Sequence, residues 1–349
     1  MKFDVVIGNP PFQNNNDSRN ADDSIYNEFM ERAYKLGKKV MLVTPGRFLF
    51  NAGNTPKEWN EKMLNDEHLK VVRYEPKSKV FFPETDIKGG VAITYRDEDI
   101  KFGKIGTFII FEELKSIFNK IYPHLENGSL ENMFYLQNKF NLDVLYKDKP
   151  NLKQVIGNNG KEKRLVSSCF NLVDIFSSER TSEQDISILG IVKGNIRKYN
   201  WVDRKYIADN GNLNKYKVII PNSNGSGSLG ESLSTPLIGT PLIGIPLIGY
   251  TQSFIGLGSF DTLLEAESAL KYIKSKFCRV LLGILKVTQS NTPDKWKYVP
   301  VQDFTENSDI DWSQSVSEID KQLYKKYELS EEEIEFIERN VKSMEDKVV

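Results

Sequence analysis

The residues best suited to chemistry lie near the start of the chain, in the segment Asn9-Pro10-Pro11-Phe12. The Asn9 carboxamide oxygen and the Pro10 carbonyl are two neighbouring hydrogen-bond acceptors, and the Phe12 ring lies beside them. This set suits a planar ligand with an exocyclic amine, because both amine hydrogens are accepted while the ring stacks on the heterocycle. An amine can attack first and lose its proton afterwards, so no base with a shifted pKa is needed. Catalysis would then depend on positioning and electrostatics.

The backbone around this segment predicts a stiff loop. Residues 3–7 form an apolar, largely β-branched run that predicts a buried strand ending at Gly8. Each proline fixes its own φ and disfavours helical backbone in the residue before it. Such a loop, at the carboxyl end of a strand, is where open α/β sheets bind ligands. A rigid turn without function is the alternative, and the elements that follow favour a site.

The elements after this loop predict an α/β unit. A helix is expected over residues 24–36, with Asp23 or Ser24 as N-cap and Gly37 as C-cap. The pattern then predicts further elements, namely strands over 40–44, 69–74 and 90–95 and a helix over 56–66. Strands alternating with helices indicate a mostly parallel sheet covered on both faces.

Bulk composition narrows the class of protein. The length of 349 residues favours two or three units, and no apolar run or leader predicts a membrane span or a signal peptide. Two distant cysteines, Cys169 and Cys278, are typical of the reducing cytoplasm. With His68 and His124 as the only histidines, neither a Cys/His metal site nor a Ser-His-Asp triad is easily built.

Beyond residue 105 the sequence changes character. Residues 106–305 alternate short apolar runs with polar turns, which predicts an irregular α+β domain, including one long helical stretch over 262–287. Residues 306–349 carry 13 acidic and 6 basic residues and predict terminal helices over 311–327 and 330–341, the second capped by Ser330 and Glu333. The remaining 305 residues have a net charge of +6, which suits a polyanionic partner.

Within the middle region, bases and aromatics interleave over residues 193–217. Such a mixture can grip phosphates and contact bases, although a solvated surface with a few core aromatics explains it equally well. The candidate DNA-binding residues are Arg197, Lys198, Tyr199, Trp201, Arg204 and Lys205.

A short repeat, Pro-Leu-Ile-Gly, occurs three times over residues 236–249. Its five-residue period matches neither helix nor strand, and the spaced prolines exclude a helix. We expect an extended or looped insertion and assign it no function.

The N-terminal motifs resemble a known family. Asn9-Pro10-Pro11-Phe12 looks like the (N/D/S)PP(Y/F/W) motif of amino methyltransferases that use S-adenosylmethionine, and the order of features resembles the DNA adenine-N6 methyltransferases of restriction–modification systems, in the large type II and type I-like group. The resemblance implies a partial Rossmann-like methyltransferase sheet from strand four onward. An irregular α+β target-recognition domain and C-terminal helices would follow it.

The resemblance also implies roles for particular residues. Asn9 and Pro10 would accept the amine of an adenine flipped out of duplex DNA, and Phe12 would stack on it. Phe29, in Ile25-Tyr26-x-x-Phe29, would line the cofactor's adenine, and Asn9 would be a second cofactor-binding residue. Further matches are Thr44-Pro45-Gly46-Arg47-Phe48 for the strand-five motif, Val80-Phe81-Phe82-Pro83 followed by Gly89-Gly90-Val91, and the segments 296–304 and 309–312. Phe81 or Phe82 would pack against the flipped base.

The family's cofactor site includes a glycine-rich turn and an acidic residue. This sequence has no match to them in the expected context. A glycine-rich turn is needed, and neither Gly225-Ser-Gly227-Ser-Leu-Gly230 nor Phe254-Ile-Gly256-Leu-Gly258 has the required strand, helix and acid around it. We therefore expect an incomplete S-adenosylmethionine site, an isolated chain that is inactive, and a missing N-terminal half or partner subunit that carries the glycine-rich loop. An exposed apolar edge at residues 3–7 would otherwise favour aggregation.

Two alternatives remain open. The first is an amino methyltransferase acting on RNA guanine or protein glutamine, although the long extension after residue 95 favours DNA. The second is a DNA-specificity subunit in which the motif is inert.

Nuclease chemistry is not favoured. Asp86-Ile-Lys88 and Asp99-Ile-Lys101 each fit half of a metal-dependent site, which also needs an upstream acid. The family's own Gly-Gly-Val segment explains the first of these pairs, so we predict no metal.

Overall fold

The N-terminal part of the chain has the strands and helices that its sequence predicts. The structure is a computed structural model that describes residues 2–14, 23–156, 164–223 and 239–344. The elements of this part are β1 (Phe3–Gly8), β2 (Gln13–Asn14), β3 (Asp23–Ser24), α1 (Tyr26–Leu36), β4 (Gly37–Pro45), α2 (Lys57–Asn65), β5 (Leu69–Glu75) and β6 (Val91–Asp97). Four of the strands form one sheet in the order β1-β4-β6-β5.

The prediction of a mostly parallel sheet is wrong in its pairing. β1 and β4 are parallel, with Gly8 opposite Leu42, but β6 runs antiparallel to both β4 and β5. Parallel neighbours usually need a helical crossover. The connection from β5 to β6, residues 76–90, is instead an irregular loop whose regular structure is one 3₁₀ turn at Ser78–Val80. The sheet is therefore mixed.

In the described residues, helices do not cover both faces of this sheet, contrary to the prediction. α1 packs against one face, where Tyr26 and Met30 join a core with Leu42. The side chains of Phe3, Val5 and Ile7 on β1 remain 65%, 55% and 74% exposed, so the strand predicted to be buried is a largely exposed edge. The physical reason is that the described helices α1 and α2 bury their side chains in a single core.

The start of α1 differs slightly from its prediction. The helix begins at Tyr26 with Ile25 as N-cap, and no side chain caps it. The predicted caps, Asp23 and Ser24, pair with residues 13–14 in a short antiparallel ribbon, β2 with β3. Gly37 ends the helix as predicted and begins β4 directly.

The middle region is an irregular mixture of short helices and small sheets, as predicted. The elements are α3 (Glu112–Ile121), β7 (Phe134–Tyr135), β8 (Lys139–Phe140), α4 (Leu142–Asp148), α5 (Leu152–Val155), α6 (Cys169–Leu172), β9 (Asp185–Val192), β10 (Ile196–Asp203), β11 (Ile207–Ala208), β12 (Tyr216–Pro221), β13 (Leu242–Gly244), β14 (Ile248–Tyr250) and β15 (Phe254–Phe260). The strands form sheets with the orders β10-β9-β14, β13-β12-β15-β7 and β11-β8.

The described part of the Pro-Leu-Ile-Gly repeat is extended. It forms β13, which pairs with β12, and β14, which pairs with β9. The glycine pattern at 254–258 lies inside β15, so it does not form a turn before a helix. The other glycine pattern, at 225–230, lies outside the described residues.

Among the described residues after β15, four α-helices follow, namely α7 (Leu263–Lys274), α8 (Lys276–Leu282), α9 (Val316–Lys326) and α10 (Glu331–Asn340). The single helical stretch predicted over 262–287 is two helices, because Ser275 has extended backbone with ψ of 149°. The capping box of Ser330 and Glu333 is confirmed. α9 begins later than predicted, with Ser315 as its N-cap.

The acidic C-terminal helices share their core with the middle region. Ile319 and Ile337 pack in the same buried cluster as Ile117 of α3, Tyr272 of α7 and Trp296. The boundary predicted at residue 305 therefore marks a change in charge along the sequence. The hydrophobic core is continuous across it.

A buried carboxylate fastens α9 to α8. The side chain of Asp320 is 3% exposed and accepts hydrogen bonds from the backbone N–H groups of Lys276 and Phe277, at 3.0 and 2.9 Å. Burial raises the pKa of Asp320 to about 6, against the opposing effect of these two hydrogen bonds. The first amides of α8 thus find their acceptor on a helix more than forty residues later in the chain.

We expect Asp320→Ala to lower the free energy of unfolding by about 2 kcal/mol or more, because two buried N–H groups lose their acceptor. Urea unfolding followed by circular dichroism measures this. The control is Glu335→Gln, an exposed position on α10, for which we expect almost no change. Equal stability of Asp320→Ala and the control would contradict this role.

Candidate active site

The loop Asn9–Phe12 is fastened at both ends. It leaves β1 at Gly8, beside β4, and its far end meets the start of α1, where the Ile25 N–H donates to the Phe12 carbonyl at 3.3 Å. The ribbon of β2 and β3 closes the connection just beyond. Asn9 is exposed and Phe12 is half-buried, so the amide and the ring can reach a ligand from the edge of the sheet.

A second aromatic meets Phe12. The ring of Phe82 lies edge-to-face on it, with centroids 5.6 Å apart and planes at 88°. Phe81 points elsewhere, with the Arg73 guanidinium 4.9 Å from its ring centroid. Of the two rings that the sequence left undecided, the structure brings Phe82 to the motif.

The loop that carries Phe82 is held in shape by a buried serine. The Ser78 hydroxyl donates to the Thr85 carbonyl at 3.0 Å and accepts from the Ile87 N–H at 2.8 Å. The loop is thereby closed on itself over residues 78–87. Sequence reasoning missed Ser78, because a single serine before two aromatics carries no distinctive signal.

The same loop is joined to the end of β4. The Gly46 N–H donates to the Gly90 carbonyl at 2.9 Å, and the Arg47 Nε donates to the Lys88 carbonyl. The Tyr74 hydroxyl donates to the Gly89 carbonyl at 3.1 Å. These contacts bring the predicted Thr44–Phe48 and Gly89–Val91 segments together.

Two neighbouring aromatics of α1 have different surroundings. Tyr26 is 2% exposed, packs near Trp59 with centroids 6.0 Å apart, and has its pKa raised to about 12 by burial. Phe29, the ring that we expect to contact the cofactor, is 42% exposed. The structure therefore places Phe29 on the accessible side of α1 and Tyr26 in the core.

The six candidate DNA-binding residues occupy the hairpin strand β10 and the turn after it. Lys198 and Tyr199 are exposed, while the guanidinium of Arg197 lies 5.6 Å from the Phe254 ring centroid. The other three have intramolecular partners, namely Trp201 with Arg180, Arg204 with the Ile207 carbonyl, and Lys205 with Asp148. Of the four basic side chains, Lys198 and Lys205 are exposed, whereas Arg197 and Arg204 are partly buried.

The lysines of the two half-matches to a nuclease site form ion pairs. Lys88 lies 2.8 Å from Asp86 of its own motif, whereas Lys101 lies 2.7 Å from Glu67, which lies outside the second motif. Within the ranges that the structure covers, no group of three or more His, Cys, Asp or Glu side chains is arranged to hold a metal ion.

The architecture and the motif are compatible with a methyltransferase-like α/β fold. Residues 1–81 match the sequence model of the Eco57I restriction-modification methylase family. A protein of Mycoplasma pneumoniae described as an "Uncharacterized adenine-specific methylase" is 34% identical over 95 residues, which are 26% of this chain. The N-terminal part is thus similar to adenine-specific methylases of restriction–modification type, and the resemblance seen in the motifs is confirmed there.

The chain spans 22% of the length of that curated relative. The residues from 82 onward lie beyond the family match. In the part of the chain that the structure describes, no helix is long and apolar enough to cross a membrane.

We expect Gly90→Ala to destabilise the loop that positions Phe82. Gly90 has φ of +66°, and a Cβ there would lie 2.6 Å from the Glu75 carbonyl oxygen, which belongs to a strand and cannot easily move. The matched control is Gly103→Ala, where φ is +89° but nothing lies within 4 Å of the added Cβ.

The control should cost about 1–2 kcal/mol of unfolding free energy from backbone strain alone. Gly90→Ala should cost about 2 kcal/mol more, because the overlap adds to the same strain. Urea unfolding of both variants measures the difference. Equal losses would show that the close approach at Gly90 is unimportant.

Proposed function

We propose that this chain is the catalytic-motif and DNA-recognition portion of a DNA methyltransferase that methylates adenine at N6. The contact of Phe12 with Phe82 at the carboxyl end of β1 carries this proposal, because it places a second ring beside the amide of Asn9. The similarity of residues 1–81 to restriction–modification methylases supports it. β1 and β4 would then be the fourth and fifth strands of a Rossmann-like sheet.

The residues of the loop would hold an adenine that has been flipped out of the duplex. The Asn9 carboxamide oxygen and the Pro10 carbonyl would accept the two hydrogens of the adenine amine, which localises the lone pair on its nitrogen. Phe12 would stack on the purine, and Phe82 would support the Phe12 ring from its edge. The loop would contribute position and electrostatics, and the reaction would require no base with a shifted pKa.

S-adenosylmethionine would supply the methyl group. The described residues offer only part of a site for it, namely the exposed Phe29 ring and the Asn9 amide. The glycine pattern at 254–258 does not complete that site, since it lies within β15. We therefore assign Phe29 and Asn9 to the part of the candidate active site that would contact the cofactor.

The open edge of the sheet suggests where the rest of the cofactor site joins. β1 pairs with β4 on one side, and its apolar side chains Phe3, Val5 and Ile7 are exposed. A second segment or subunit that carries the glycine-rich loop would pair with this edge and cover it. On its own the chain should then bind S-adenosylmethionine weakly, which calorimetric titration measures.

We expect Asn9→Ala to reduce adenine methylation of duplex DNA by at least about 100-fold, because one of two acceptors that polarise the amine is removed. The assay follows transfer of a labelled methyl group with the complementing glycine-rich segment present. Asn65→Ala, an exposed asparagine at the end of α2, should keep full activity.

Retained activity in Asn9→Ala would contradict the proposal. Methyl transfer into RNA or a protein glutamine, with none into duplex DNA, would favour the other amino methyltransferases. Specific DNA binding without any transfer would favour a specificity subunit.

The two neighbouring phenylalanines give a matched pair of variants. We expect Phe82→Ala to lower methylation about 10-fold, because the ring that supports Phe12 is removed and stacking of a base is worth about 1–3 kcal/mol. Phe81→Ala should have little effect, since that ring contacts Arg73. The reverse order of activities would assign the base contact to Phe81.

A further inference from the structure

A polar cavity of about 530 Å³ lies between the N-terminal part and the segment after α8. Small-molecule sites commonly have volumes of about 300–1,000 Å³, so this cavity is large enough for a ligand. Its lining residues are Arg47, Asn51, Ala52, Gly53, Asn54, Lys57, Lys88, Thr288, Gln289, Ser290, Thr292, Asp294 and Lys295.

The lining is strongly cationic. Four basic side chains face one acidic side chain, Asp294, and the Lys295 ammonium lies 3.0 Å from that carboxylate. Burial would raise the pKa of Asp294, but the Thr292 hydroxyl and the Lys295 charge hold it below its usual value. Asp294 is therefore ionised and matched by Lys295. Lys88 is paired with Asp86 at 2.8 Å, so Arg47 and Lys57 remain as the excess positive charge.

The N-terminal wall is built around Arg47. Its Nε donates to the Lys88 carbonyl, and the stem of its side chain fills the space beside Gly89, where an added Cβ would lie 2.6 Å from Cγ. Below it, Asn60 donates to the Asn51 side chain at 3.1 Å and accepts from Thr55 at 2.7 Å. The wall is thus held by internal hydrogen bonds before any ligand binds.

The opposite wall belongs to the region after α8 and is hydrogen-bonded to the residue that follows β12. The Asn291 N–H donates to the Asn222 carbonyl at 2.9 Å, and the buried Lys286 ammonium donates to the Thr288 carbonyl at 3.1 Å. Sequence reasoning missed this wall, because residues 288–295 show no motif. Lys88 was noticed only as part of a nuclease pattern.

The cavity and the candidate active site share one loop. Phe82 on that loop contacts Phe12, and Lys88, six residues later, lines the cavity. Arg47 follows the end of β4, whose neighbour β1 leads into Asn9. Both sites therefore lie at the carboxyl ends of the two parallel strands.

We propose that this cavity binds a backbone phosphate of the DNA strand that carries the target base; this inference rests on the proposed function. None of the described lining residues is aromatic, so the cavity suits a phosphodiester and its sugar better than a stacked base. Arginine and lysine side chains are the usual partners of such phosphates. The phosphate contact would fix the strand while the neighbouring nucleotide enters the loop of Asn9.

The test compares two double variants. Lys57→Gln with Lys88→Gln removes two cavity charges and leaves Arg47, which helps to shape the loop, in place. The control, Lys62→Gln with Lys101→Gln, removes two exposed lysines that pair with Glu31 and Glu67 outside the cavity. Binding of a labelled duplex of arbitrary sequence is measured by fluorescence anisotropy over a range of potassium chloride concentrations, after thermal unfolding has shown that all proteins are folded.

We expect the cavity variant to bind more weakly, and its slope of log K against log salt should be shallower by about 0.9 for each phosphate that the protein no longer neutralises. Lys57→Arg with Lys88→Arg should restore the wild-type slope. Replacing chloride by inorganic phosphate at constant ionic strength should weaken the wild type more than the cavity variant.

A wild type that binds DNA with the same affinity and slope as the cavity variant overturns this inference and leaves the proposed function standing. If inorganic phosphate weakens DNA binding equally in the wild type and the cavity variant, this inference is also overturned and the proposed function stands. A wild type that does not bind duplex DNA at all, or that binds RNA in preference, removes the proposed function itself.

Discussion

The candidate active site and the cationic cavity both depend on one set of contacts, where the loop over residues 78–90 meets the end of β4. These contacts form a seam between the loop and the sheet. The seam consists of the hydrogen bond from the Gly46 N–H to the Gly90 carbonyl and that from Arg47 to the Lys88 carbonyl. Because the loop has no helix to stiffen it, these bonds and the Ser78 hydroxyl set its path. The Phe82 ring and the Lys88 ammonium are both positioned by that path.

The loop Asn9–Phe12 achieves rigidity in a different way. It follows an edge strand, so the sheet supports it from one side only. Two consecutive prolines limit its backbone, and the hydrogen bond from Ile25 to Phe12 closes it against α1. A motif on an edge strand can thus be stiff without a strand on both sides.

The sequence predicted local features well and long-range ones poorly. The strands and helices of the first hundred residues, the capping box of Ser330 and the loop at Asn9–Phe12 all follow from neighbouring residues. The direction of β6 and the exposure of β1 depend on which elements meet in space, and apolar runs do not specify that. For the same reason the sequence left Phe81 and Phe82 undecided, and it did not indicate that residues 288–295 face Arg47.

The cap that Asp320 provides for α8 has a consequence for how the chain folds as it is synthesised. The backbone N–H groups of Lys276 and Phe277 donate to a carboxylate that the ribosome adds more than forty residues later, so they have no such acceptor until then. The large core of the middle region is therefore completed only after the acidic end has been synthesised, since Ile319 and Ile337 belong to it. A premature stop codon anywhere before residue 320 would produce a chain with an incomplete core. Such a truncated chain would be a substrate for quality-control proteases.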